Sequence, residues 1–153
     1  MFNKKFILYF LIIFSSSQFL FANYGFYRKV ANTCKYYRVD IDEKKMQLVK
    51  NPDGSYNFSI EMQSLRNNFE MVMLVGFISV GQAINHQESF AKKKPGYAPV
   101  IPGDTQVTVS VPVSRDNTII TAKATVDHIR QLSSGKVDTA GFMRLIKNSI
   151  ETL

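Results

Sequence analysis

With 153 residues, of which 45% are hydrophobic and 20% charged, the chain is long enough to bury a core as one domain and too apolar to stay disordered. Its formal charge is +7, and its single cysteine and two histidines exclude an intramolecular disulfide, a zinc site built from cysteines and histidine-rich metal centres.

The N-terminal stretch "MFNKKFILYFLIIFSSSQFLFA" places Lys4 and Lys5 ahead of an apolar core from Phe6 to Phe14, then a Ser-rich break, then Ala22. Positive, apolar and small residues in that order specify a secretory signal over residues 1–22. As a helix the apolar core would be about 14 Å long against a hydrocarbon thickness of about 30 Å, which favours cleavage near Ala22 over a permanent anchor. The mature chain is then one domain over residues 23–153, periplasmic or secreted. Loss of Lys4 and Lys5, with no acid removed, lowers the formal charge from +7 to +5. A modestly basic exported protein suits an anionic surface or an acidic partner. If the signal is retained, the protein becomes a membrane-associated subunit of an envelope complex.

In "CKYYRVDID" the residues Tyr37, Val39 and Ile41 alternate with Tyr36, Arg38, Asp40 and Asp42, which predicts a half-buried strand over 34–42. A hairpin follows around "NPDGS". Met46 and Leu48 precede that turn, and Tyr56, Phe58, Ile60 and Met62 alternate with polar residues after it; Pro52 and Gly54 supply the turn geometry.

Ser64 is positioned to cap a helix running to about Phe90, whose middle, Met71 to Val80, is apolar nearly all round. Its shortness, Glu70, Gln82 and the small residues Gly76, Ser79 and Gly81 fit an interior helix better than a membrane span. Gly76 and Gly81 mark close approaches by other elements. The alternatives for this run are membrane insertion and a self-association face, the latter making the protein a homo-oligomer. Residues 91–104, "AKKKPGYAPVIPGD", read as a loop.

Two further strands carry Val107, Val109, Val111 and Val113, then Ile120, Ala122 and Ala124, turned by "SRDN"; Pro112 predicts an edge or bulged strand. A helical turn over Asp127–Leu132 closes at Gly135. A C-terminal helix from Thr139 to about Glu151 is capped by Asp138 and presents Phe142, Leu145, Ile146 and Ile150 at helical spacing. The expected fold is α+β: an antiparallel sheet of four to five strands packed against a central apolar helix and a C-terminal amphipathic helix.

Chemistry-bearing residues are few. A nucleophilic Cys34 would need His86 or His128 as a base, and "ANTCKYY" provides no nucleophile motif. Asp40 and Asp42 could share a strand face but lack the further ligands and glycine of a calcium loop. His86 and Glu88 are two apart, on different sides of a helix, so no metal site and no cofactor is expected. The segment "KKKPGY" is the best binding candidate: Lys92, Lys93 and Lys94 beside Tyr97 form a cationic tip with an aromatic contact. Export argues against nucleic acid as its partner. The sequence therefore predicts an exported, non-catalytic accessory protein of the envelope, binding a protein partner through a sheet edge, the N-terminal aromatic segment or "KKKPGY". The alternative is a small exported enzyme using Cys34 or the Asp40/Asp42 pair.

Overall fold

A computed structural model of the chain describes residues 23–65, 68–113 and 116–153, so the signal expected over residues 1–22 lies outside the described residues. The elements in order are α1 (23–36), β1 (Met46–Lys50), β2 (Tyr56–Gln63), α2 (Phe69–Lys93), β3 (Pro102–Val113), β4 (Asp116–Thr125), α3 (Val126–Ser133), α4 (Thr139–Ile146) and β5 (Glu151–Thr152). The fold is α+β, with a single sheet in the order β1-β2-β3-β4-β5. That sheet is mostly antiparallel, as expected, with one difference: β2 and β3 run parallel. They are joined through α2, and a helical crossover returns the chain to the end from which it left.

Residues 34–42 do not form the expected strand. Phe26, Val30 and Cys34 are spaced by four and fully buried, so the helical period reaches through Tyr36 and overrides the local alternation. Phe26 meets Phe58 of β2 edge-on at 5.2 Å. The helix closes with Arg38 N–H on the Lys35 carbonyl (3.0 Å) and Val39 N–H on the Cys34 carbonyl (3.0 Å), which places Arg38 at φ +59. This is a Schellman closure with arginine where glycine is the relaxed choice. Arg38→Gly is expected to raise stability by about 0.5–1 kcal/mol, read as a higher urea midpoint at constant slope.

The β1–β2 hairpin forms as expected. Gly54 adopts φ +87, and the Asp53 carboxylate accepts from Ser55 N–H at 2.9 Å. Ser64, however, caps nothing: its N–H donates to the Ser110 carbonyl at 3.0 Å, extending the sheet, and α2 begins five residues later. The middle of α2 is covered on several sides, as its sequence demands. A Cβ on Gly76 would lie 2.9 Å from Val107 and 3.0 Å from the Met62 sulfur; one on Gly81 would lie 3.0 Å from Ser133 of α3. Phe77 packs edge-on against Phe142 of α4 at 5.2 Å. No helix among the described residues is long and apolar enough to cross a membrane.

Strand β3 is central, not an edge. Pro112 sits in it without disrupting the ladder, because β2 stops opposite Ser110. Ser110 directs its carbonyl to the β2 side, so Pro112, two residues on, points its missing N–H to the side where β2 has already ended. The C-terminal helix is shorter than expected. It ends at Ile146, and after a 3-10 turn over Lys147–Ser149 the chain pairs with β4 as β5. Ser149 Oγ accepts from Lys123 N–H (2.9 Å) and lies 2.7 Å from the Lys123 carbonyl, so this side chain occupies the place of a strand residue at the sheet edge.

The opposite edge is partly occupied as well. In β1 the outward N–H of Met46 bonds to the Glu43 carbonyl and that of Leu48 to the Tyr27 hydroxyl at 2.7 Å. An edge so occupied is a poor template for an added strand.

Candidate functional site

The four residues Lys92, Lys93, Lys94 and Tyr97 come together at the C-terminal end of α2, but not as a free loop. Lys92 and Lys93 form the last turn of the helix and Lys94 its C-cap, where positive charge complements the helix dipole. All three are exposed, and none pairs with a carboxylate among the described residues.

Tyr97 folds back instead of pointing outward. Its ring stacks edge-on to Phe90 at 4.7 Å, and its hydroxyl donates to Gln87 Oε1 at 2.7 Å. The same oxygen accepts from Val100 N–H at 3.1 Å. Gln87 is only 1% exposed, so it joins a buried position to the turn. Burial raises the Tyr97 phenol above its ordinary pKa, and the Gln87 contact pulls in the other direction. Gln87 was overlooked in the sequence because it falls on the apolar stripe Val80, Ala83, Ile84. A polar residue in such a stripe is itself the signal, since it needs a buried partner.

A second region is the sheet face opposite the helices. Register aligns Gln47, Ser59, Gln106 and Lys123 in one row, and Glu61, Thr108 and Thr121 in the next. Thr108 and Thr121 share a hydrogen bond at 3.1 Å. Segment 39–42 curls over one end of this face and makes a cleft of about 500 Å³, lined by Asp40, Asp42, Glu61, Thr108, Ser110 and Ile119 among others. The structure thus brings Asp40 and Asp42 to one cleft, though not on a strand. Asp42 is committed as a cap, accepting from Lys44 N–H at 2.9 Å, while Glu61 pairs with Lys45 at 2.9 Å.

Cys34 is fully buried against Ser79 of α2, and burial pushes its thiol above the ordinary value, with the Ser79 hydrogen bond opposing. The folded state therefore favours the neutral thiol. That contribution is intact below the ordinary value of 9.0 and is lost as pH rises through the elevated folded value. Cys34→Ala is expected to cost about 1 kcal/mol near neutrality and to flatten the alkaline limb of a stability-against-pH profile, while leaving the cellular phenotype intact. Loss of phenotype in folded protein would return Cys34 to the list of catalytic candidates. His86 and Glu88 diverge, with Glu88 held by Arg130 at 2.6 Å. Among the described residues no group of three or more His, Cys, Asp or Glu is placed to hold a metal ion.

No family model, characterised protein or solved structure matches the chain.

Proposed function

We propose that the protein is an exported, non-catalytic accessory protein of the cell envelope, periplasmic or secreted, that engages an anionic partner through the end carrying Lys92, Lys93 and Lys94. One observation carries this reading. Of the three surfaces nominated by sequence, the sheet edges are partly occupied by Tyr27 and Ser149, and the N-terminal aromatic segment is helical, with Phe26 buried and, of Tyr24, Phe26 and Tyr27, only Tyr24 exposed. The lysines remain exposed on a turn fixed from within by Gln87.

In-cell photo-crosslinking tests this. A crosslinker at position 93 should capture an envelope component, whereas one at Glu70, exposed in the first turn at the opposite end of α2, should not. Equal labelling from both positions, or a protein found only in the cytoplasm, would overturn the proposal. The cleft supports a second reading, a small-molecule site or an exported enzyme using Asp40, because it combines carboxylates and hydroxyls with the apolar Ile119. Asp40→Asn would abolish a cleft-dependent phenotype and leave a lysine-dependent one unchanged.

A further inference from the structure

We infer that the anionic partner of the Lys92–Lys94 end is a lipid bilayer surface, met with Tyr24 and Phe90 at headgroup level. The inference rests on the reading of those lysines as the binding site.

The first argument is where the chain enters the fold. A Cβ on Gly25 would lie 3.5 Å from Gln87 Nε2, and Gln87 Oε1 is the atom that holds Tyr97 and Val100. Asn23 is two residues upstream, within about 7 Å along the chain. Residues 1–22, with their apolar core Phe6 to Phe14, therefore join the fold beside the lysines. While that core is in a bilayer, before cleavage or as an anchor, the tether enters at this end of the fold.

The second argument is composition. Tyr24 is 60% exposed and Phe90 40% exposed, and Lys94 Nζ lies 5.8 Å from the centre of the Phe90 ring. An acidic polymer or an acidic protein surface asks for the lysines alone. Aromatic rings set beside lysines suit a membrane interface, where rings sit among the headgroups and ammonium groups meet phosphates.

Charge agrees with this. Glu88, one turn back on α2, is neutralised by Arg130. The three lysines therefore act as a net positive group. No described helix is both long and apolar enough to cross a bilayer, and the contact inferred is a peripheral one. Each lysine near an anionic surface is worth roughly fivefold in affinity, so the three together give about a hundredfold preference for anionic over neutral lipid.

The test is co-sedimentation of the exported protein with phosphatidylcholine vesicles, with and without one-third phosphatidylglycerol. The expected result is about a hundredfold tighter binding to the anionic vesicles, erased by high salt and by the combined Lys92→Gln, Lys93→Gln, Lys94→Gln variant. Tyr24→Ser with Phe90→Ser should weaken anionic binding about fivefold with the lysines intact. Circular dichroism verifies that each variant is folded. Equal binding to both vesicle types, or a triple variant that keeps the preference, overturns the inference. So does an aromatic variant that binds like wild type while soluble polyglutamate competes fully, since lysines alone then suffice. Should the vesicle preference be absent while position 93 still crosslinks a protein in cells, the lipid inference falls and the binding end stands.

Discussion

Gly76→Leu is expected to destabilise the protein by about 3 kcal/mol, the upper end of the usual cost of overpacking a core, and to leave part of the chain unfolded at physiological temperature. The reason is local. Gly76 faces the sheet where α2 crosses β2 and β3, and even a methyl group there would stand 2.9 Å from Val107 and 3.0 Å from the Met62 sulfur. Methionine can swing aside, but Val107 is β-branched and lies in the central strand, paired on both sides to Ile60 and Ala122.

Gly76→Ala separates two opposing effects. Helix propensity favours alanine by about 1 kcal/mol, and the contact with Val107 opposes it. A double-mutant cycle isolates the contact: Gly76→Ala should cost less in a Val107→Ala background than alone, measured as urea midpoints. A leucine tolerated at position 76 would mean that the helix does not approach the sheet there, and would reopen the alternative of a lipid-facing span.

This contact was legible in the sequence, because a glycine inside a strongly apolar helix has few other uses. So were both hairpins, the Gly135 stop and the Asp138 cap, which accepts from Gly141 N–H at 2.7 Å. Each depends on residues within a few positions of one another. Helix α1 was hidden because its stripe of Phe26, Val30 and Cys34 overlaps a stretch that alternates from Tyr37 to Ile41, and only the tertiary contact with Phe58 and α2 decides between the periods. Strand β5 was hidden for a related reason. Two residues have no periodicity, and Glu151–Thr152 become a strand only because β4 offers an edge, with Leu153 N–H reaching the Ile119 carbonyl at 2.8 Å. The assignment of Pro112 to an edge failed because proline reveals that a donor is missing, not which side of the strand lacks a neighbour. For the candidate site, the lysines could be read from composition. The rigidity of their turn could not, since it depends on a glutamine ten residues before the tyrosine it holds.

Removing that glutamine gives the second large effect. Gln87→Leu should cost about 3 kcal/mol, because two donors lose their acceptor at once and a buried unsatisfied donor costs about 1–3 kcal/mol. Val100 is 2% exposed, so its N–H has no ready access to water, and the Tyr97 hydroxyl is part-buried. Tyr97→Phe removes only one of the two bonds and keeps the ring on Phe90, so about 1 kcal/mol is expected. Hydrogen exchange should separate the variants: the Val100 amide loses protection in Gln87→Leu and keeps most of it in Tyr97→Phe. The phenol also leaves a mark on pH dependence. Its raised pKa means that the folded state holds the proton more tightly, so its contribution is intact below 10.0 and disappears as pH rises through the folded value, a loss absent from Tyr97→Phe. The lysine charges survive in both variants, and interaction with an anionic surface acts over a Debye length of about 8 Å, so the vesicle preference should change by no more than about twofold. Stability without Gln87 would then fall while binding persists, which assigns the glutamine to holding the turn and the lysines to recognition; a Gln87→Leu protein that is fully folded yet blind to anionic vesicles would reverse that assignment.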